Sequence, residues 1–200
     1  MHGGSTMKKL MRLLATVFMA LGLCSFELAS AEAANVAFLP LINNVAGDEL
    51  AGQIYFKEAL NTLNSQPGFM LVDNDELTAV IEAEKIGNIV PDEKTLARIA
   101  KEGKADIVIA MQLDKLDDTA IRLSEGDFMK LDIQGHAVAY NAITGKYYKH
   151  RIYNDKAIPE ALTTRWDVPH EEWGYSVKAE VRRILEVKKV TLDAPRMSKL

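Results

Sequence analysis

The order of apolar segments predicts one α/β (α+β) domain of three-layer type, with helices on both faces of a mixed sheet of about five strands. Three observations lead to it. Apolar runs without alternation, typical of strands covered on both faces, occur at 35–41, 69–72 and 105–113. Segments with helical spacing separate these runs, and residues from Met129 onward alternate with a period of two. The predicted order is β-α-β-α-α-β, then a meander, then a helix.

The helices are predicted from apolar residues at helical spacing and from the residues at their ends. They start after the capping residue Asp48, at Asn74 or Asp75, at Pro91–Glu93 and at about Glu171. The last helix is expected to reach about Val187, and Trp173 lies on its apolar stripe, which indicates a core position.

The second half of the chain predicts a loop and a hairpin. Asp114 to Asp127 is polar and is expected to form a solvated loop, with a short strand possible at 120–123. Met129 to Asn154 alternates on both sides of the turn residues Thr144–Lys146, which predicts a β-hairpin.

Residues 1–33 have the pattern of a secretory signal peptide: a basic start, a short apolar run and small residues before the cleavage point. Met7 is the expected translation start. Cleavage is expected after Ala33, because strand-like sequence begins there, with Ala31 as the alternative. The protein is then periplasmic or secreted. Lipid anchoring through Cys24 is the minor alternative, since the bulky Leu23 precedes this cysteine.

The remaining chain is predicted to comprise one domain at 34–189 and a flexible tail at 190–200. The leader carries three of the 24 basic and two of the 28 acidic residues, which leaves 21 basic against 26 acidic and a net charge of −5. It also carries the single cysteine, so the mature chain has no disulfide or thiolate metal site. This mildly acidic composition disfavours nucleic-acid binding, and no second apolar run is long enough for stable membrane insertion.

No catalytic, cofactor-binding or metal-binding residue is assigned, because each catalytic template fails on spacing. His170-Glu171-Glu172 lacks the second histidine of a zinc-protease helix, and no serine stands in a nucleophile elbow. The acidic group in 114–127 lacks the ligand spacing of a calcium loop. His136 and His150 fall on adjacent arms of the hairpin and are interpreted as surface residues. Paired carboxylates for glycan hydrolysis stay open, because their separation depends on the fold.

Several segments resemble a group of envelope proteins. They are VAFLPLINN, FMLVDNDELTAVIEAEKIG, TLARIAKEGKADIVIAMQL and AYNAITGKYY, within residues 35–155. This series resembles the periplasmic α/β domain shared by the curli-secretion protein CsgG, the synthase activator LpoB and the N-terminal domain of TolB. The resemblance implies a periplasmic docking domain. It does not imply transport, because a pore needs long amphipathic hairpins that the charged 129–154 segment does not supply.

The predicted function is therefore an exported, non-enzymatic envelope module that binds a protein partner or a second copy of itself. Aromatic residues are frequent interface anchors, which selects Tyr148 on the hairpin and Trp166 in the connection before the last helix. The polar loop after the first strand adds Asn43 and Asn44. The alternatives are an exported carboxylate-dependent hydrolase acting on envelope glycan and a periplasmic small-ligand-binding protein.

Overall fold

The computed structural model describes residues 33–72, 74–159 and 167–197, without the side chains of 74–76 and 187–197. Within these residues one mixed sheet carries four helices. The strands are β1 (Ala34–Phe38), β2 (Ile42–Asn43), β3 (Phe69–Leu71), β4 (Ile107–Leu123), β5 (Gly126–Asn141) and β6 (Lys146–Pro159). The helices are α1 (Leu50–Asn64), α2 (Asn74–Glu84), α3 (Glu93–Glu102) and α4 (Val168–Met197).

The strands lie in the order β3-β1-β4-β5-β6, and the two-residue β2 continues the line of β1 along β4. β1 runs parallel to both β3 and β4, with Val36 opposite Leu71 on one side and Ile107 on the other. β4, β5 and β6 form an antiparallel meander. The predicted hairpin at 129–154 is confirmed as the inner part of the β5–β6 pair. Strand β2 falls in the segment that the sequence indicated as a loop.

Side chains alternate between the two faces of the sheet, and each face is covered by a pair of helices. Val36 and Phe38 of β1 belong to a buried cluster with Tyr55 of α1 and Trp173 of α4. Ala37 belongs to a second cluster with residues of α2 and α3. The predicted three-layer α/β fold is therefore confirmed. The apolar runs show no alternation because side chains on both faces of these strands are buried.

The predicted loop at Asp114–Asp127 is wrong, because these residues form the outer half of β4 and the start of β5. Paired residues continue to Leu123 and Gly126 at the tip. Both faces of this extension are largely exposed, so it has no need of apolar alternation. Hydrogen bonding along the ladder and cross-strand ion pairs such as Lys115–Asp132 (2.6 Å) hold it instead.

The last helix starts earlier than predicted, at Val168 rather than Glu171. Pro169 fits this position, because the first turn of a helix has no partner for the backbone N–H that proline lacks. The backbone is helical to Met197, and the flexibility of 190–200 stays a prediction. Trp173 is fully buried, as its place on the stripe predicted.

Candidate functional site

Two adjoining cavities form a groove at the end of the sheet where β1 finishes. Their volumes are about 430 and 390 Å³, and both are lined by Pro40, Leu41 and Ile81. The first also has Tyr55 and Phe56 of α1 in its wall. The remaining lining residues are Phe38, Leu39, Gly52, Leu77 and Thr78 in the first cavity, and Ile42, Asn43, Glu82, Lys85, Ile86, Gly87 and Asn88 in the second. We call this feature the sheet-end groove.

The topology of the sheet explains why a groove opens here. The helix after β1 packs on one face, whereas the helix after the neighbouring parallel strand β3 packs on the other. The two connections therefore diverge above the carboxyl ends of β1 and β3. Such switch points are the usual ligand-binding crevices of open α/β sheets. The fold itself thus makes this groove the first candidate for a binding site.

The walls of the groove are mainly apolar. Phe56 is 41% exposed although it is a large aromatic residue, and it lies on the wall provided by α1. Beside it Tyr55 is fully buried, and its hydroxyl donates to the carbonyl oxygen of Leu39 at 3.0 Å. Burial raises the pKa of Tyr55 far above its ordinary value, so this hydroxyl stays a neutral donor. The contact fixes the end of β1 against α1.

A polar network borders the groove on its β2 side, centred on Asp114. A β-bulge interrupts the register between Leu113 and Lys115 and leaves Asp114 without a partner residue on β5. Its carboxylate accepts from Asn44 Nδ2 at 2.9 Å and from Gln112 Nε2, and it lies 3.2 Å from His136 Nδ1. Desolvation opposes ionisation of Asp114, but these donors outweigh it and lower its pKa. The carboxylate therefore stays charged at neutral pH.

The same network holds the wall formed by the α2–α3 connection. Asn44 Nδ2 also donates to the carbonyl oxygen of Asn88 at 3.1 Å, and the backbone N–H of Val90 donates to Gln112 Oε1 at 2.8 Å. Asp114 thus orients two amide side chains that reach from the sheet to this connection. An aspartate beside a histidine, as in the Asp114–His136 pair, can also orient a general base.

No metal site is visible in the part of the chain described here, because it contains no group of three or more His, Cys, Asp or Glu placed to hold a metal ion.

The loop between β2 and α1 is closed by its own side chains and by the last helix. Asn43 Oδ1 accepts from the N–H of Val45 at 3.0 Å, and Asn43 Nδ2 donates to the carbonyl oxygen of Asp48. The Asp48 carboxylate accepts from the N–H of Ala51 at 3.1 Å, as expected for a residue that caps α1. It also lies 2.9 Å from His170 Nε2. His170 therefore ties the start of α4 to the loop.

This ion pair makes a pH-dependent contribution to stability. Desolvation disfavours protonated His170, but the carboxylates of Asp48 and Asp167 outweigh this effect and raise its pKa above the ordinary value. Desolvation likewise disfavours the Asp48 carboxylate, but its hydrogen bonds to His170 and to the N–H of Ala51 outweigh this effect and lower its pKa. Because the pKa of His170 is higher in the folded than in the unfolded protein, its protonation stabilises the fold. This stabilisation is complete at pH values below the unfolded pKa and is lost as pH rises through the folded pKa. The aspartate term is present above its unfolded pKa and disappears in acid. The pair is therefore at full strength only between these limits.

We accordingly expect His170→Gln to destabilise the domain by about 1.5–3 kcal/mol at pH 5.5, the usual contribution of a hydrogen bond to a charged group. At pH 9 the cost should be clearly smaller, because the stabilisation from protonated His170 is lost as pH rises through its raised folded pKa. Urea unfolding of both proteins at the two pH values measures this difference. An equal cost at both would show that protonation of His170 does not contribute.

The structure separates the residues that the sequence selected as partner contacts. Asn43 and Asn44 lie together beside the groove, and both side chains are hydrogen-bonded within the chain. Tyr148 lies on β6, three strands away from β2, and its hydroxyl donates to Glu180 of α4 at 3.1 Å. Trp166 lies outside the described residues. Ala33, the predicted cleavage residue, directly precedes β1. A partner-binding role for the four selected residues stays a prediction.

His136 and His150 do not meet, although they lie on adjacent strands. His136 is opposite Arg151, and His150 is opposite Ala137. This offset of one residue places the two imidazoles on opposite faces of the sheet. His150 instead lies 3.1 Å from Glu180, on the α4 face.

Apart from Asn43, the sequence did not indicate the residues that line the groove. Two features of the sequence point to this region. Phe56 lies beside the apolar stripe of α1 rather than on it, so this aromatic residue has no place in the core. Gln112 and Asp114 are polar residues at the carboxyl end of an apolar strand. Neither indicates a groove until the positions of α1, α2 and β2 are known.

The described residues define a three-layer α/β domain with a groove at its switch point. No family model and no curated protein matches the sequence. The structure is similar to the hypothetical protein CT253 from Chlamydia trachomatis (TM-score 0.49, 13% identity, 75% of this chain and 96% of that one). It is also similar to lipoprotein GNA1162 from Neisseria meningitidis (TM-score 0.44, 12% identity, 76% and 99%).

A third similar structure is the C-terminal domain of LpoB from Escherichia coli, with a TM-score of 0.39, 12% identity and coverage of 62% of this chain and 84% of that one. LpoB is one of the three proteins that the sequence motifs resemble. The resemblance to CsgG and to the N-terminal domain of TolB stays a prediction. No helix among the described residues is both long and apolar enough to cross a membrane.

Proposed function

We propose that this chain is an exported cell-envelope protein that acts without catalysis, by binding a protein partner in the sheet-end groove. The observation that carries the proposal is the groove itself: an apolar crevice at the switch point, with Phe56 exposed in its wall. Export rests on the signal-peptide pattern of residues 1–33.

The groove suits an extended segment with a bulky apolar side chain. Its apolar part, around Leu41 and Ile81, can bury such a side chain, and burial of a leucine or phenylalanine contributes about 1.5–3 kcal/mol. Its other part contains Asn43, Asn88 and Lys85, which offer polar groups for a peptide backbone. The fixed loop and the Asp114 network limit rearrangement on binding, so less affinity is lost to ordering.

A small apolar ligand is the second candidate, because each cavity falls within the usual range of ligand sites, about 300–1,000 Å³. A thermal shift in the presence of ligand would distinguish this function. The groove gives the hydrolase alternative no support. Among its described lining residues it holds one carboxylate, Glu82, whereas glycoside hydrolysis requires two.

Site-specific photo-crosslinking in living cells tests the main proposal. We expect a photoreactive phenylalanine analogue at Phe56 to give a discrete crosslinked protein, which Leu41→Asp should abolish. The matched control is the same analogue at Ile143, an apolar residue that is 55% exposed in the β5–β6 turn. A crosslinked dimer of the chain would identify self-association. Identical products at both positions would contradict docking in the groove.

Mass spectrometry of the exported protein tests the leader. We expect a mature chain that begins at Ala34 and carries no lipid, because cleavage after Ala33 leaves β1 complete. A product that retains Cys24 with an acyl group would contradict this and establish the lipid-anchored alternative.

A further inference from the structure

We propose that the outer edge of β6 is a second docking surface, which takes an extended acidic segment of a partner protein through Lys149, Arg151 and His136. β6 ends the sheet order, and among the described strands it pairs with β5 alone. An edge strand offers a row of backbone N–H and C=O groups to which another extended chain can add. This edge lies at the opposite side of the sheet from β3 and is separate from the sheet-end groove.

The charges on the two faces of β6 differ in how they are compensated. On the face toward α4, His150 lies 3.1 Å from Glu180, and Lys156 lies 2.5 Å from Glu172. On the other face, no carboxylate of the described residues lies within ion-pair distance of Lys149 or Arg151. Both side chains are exposed. Among the described residues, the cations on the α4 face thus have carboxylate partners, whereas Lys149 and Arg151 have none, although the net charge of the chain is −4.

The side chains of Arg151 and His136 are held in place by contacts with their neighbours. Arg151 donates to Gln134 Oε1 at 3.1 Å, and its guanidinium lies 5.5 Å from the centre of the Tyr153 ring. His136 is the cross-strand partner of Arg151 and is fixed by Asp114 at 3.2 Å. Directly opposite residues are about 5 Å apart, so one carboxylate can reach both. Because most donors of the guanidinium remain unused, a bidentate contact is available.

An acidic strand matches this arrangement better than a free anion or a nucleic acid. Lys149 and Arg151 are two residues apart on one face, a spacing of roughly 6.6 Å that alternate carboxylates of an extended chain reproduce. Nucleic-acid binding depends on many Lys and Arg contacts to phosphates, a larger cluster than these two residues provide. Exposed lysine alone can protect an edge strand from pairing. That role does not require Arg151 to be fixed by Gln134 and Tyr153.

The test uses the full chain and a fluorescent nine-residue peptide of alternating threonine and glutamate, with glutamine in place of glutamate as the control peptide. We expect the acidic peptide to bind about tenfold more tightly than its control and to shift the NMR amide signals of β6. The double substitution Lys149→Gln with Arg151→Gln should weaken binding about 5- to 20-fold. This is the loss expected when one exposed ion pair, at Lys149, and one hydrogen-bonded ion pair, at Arg151, are removed together.

The matched variant, Lys94→Gln with Lys101→Gln on α3, removes the same charge from another surface and should leave binding unchanged. Phe56→Ser should also leave it unchanged, so failure of this proposal and failure of groove docking are distinguishable. Equal binding of the two peptides, or equal losses in the two double variants, would overturn the proposal. Displacement of the peptide by equimolar inorganic phosphate would also overturn it, since the site would then be one for small oxyanions.

Discussion

Gly135→Ala is expected to destabilise the domain by about 3 kcal/mol, at the upper end of the cost of overpacking. A Cβ atom at this position would lie 2.2 Å from the carbonyl oxygen of Gln112 and 3.3 Å from its carbon. Both are backbone atoms of a central strand, so they cannot turn away as the end of a side chain can. β4 and β5 would have to separate at the bulge, and Asp114 would lose its contact with His136 of β5.

Urea unfolding followed by far-UV circular dichroism measures this cost. The matched control is Gly52→Ala in α1, where an added Cβ meets nothing within 4 Å. That change should stabilise the domain by about 0.5–1 kcal/mol, because glycine is unfavourable inside a helix. Two substitutions of the same chemistry are therefore expected to act with opposite sign. A change below about 0.5 kcal/mol for Gly135→Ala would refute the close approach of the strands.

The buried part of the fold was predictable because burial on both faces leaves a local signature. Residues 35–41 and 105–113 are apolar without alternation, and the structure shows neighbouring residues such as Val36 and Ala37 buried in different clusters. Asp92 likewise caps α3 by accepting from the N–H of Thr95 at 2.8 Å, a contact that lies within four residues of sequence. Features of this range need no tertiary information.

The extension of β4 and β5 was not predictable, because pairing rather than burial maintains it. Asp117 and Asp118 are exposed, and their strand partners Asp132 and Leu131 lie on the other arm of the hairpin. A polar segment in an exposed ladder has the same composition as a loop. Only the register with β5 shows that the segment is a strand.

The candidate site illustrates the same limit. Asn43 and Asn44 were selected because a polar loop follows the first strand, and the structure places this loop beside the groove. The link from Asn44 through Asp114 to His136 depends on a bulge and on strand register. A sequence pattern with a period of two contains neither, so the network could not be derived from spacing.

Trp173→Ala should have the other large effect on stability, about 3–5 kcal/mol, because it empties a fully buried site that α4 fills against α1 and the sheet. The indole N–H also donates to the carbonyl oxygen of Ala51 at 3.1 Å, in the first turn of α1. Trp173→Phe keeps most of the apolar volume and removes this donor. It should therefore cost distinctly less than the alanine variant.

Chemical unfolding of the two variants separates packing from hydrogen bonding, and equal costs would show that the lost hydrogen bond dominates. The groove provides a second measurement, because Gly52 and Phe56 of α1 line it. If Trp173 sets the position of α1, Trp173→Phe should retain the crosslink from Phe56. A Trp173→Ala protein should lose the crosslink even at temperatures where circular dichroism shows it folded. The core residue most readily predicted from the sequence would then also determine the shape of a groove that the sequence does not reveal.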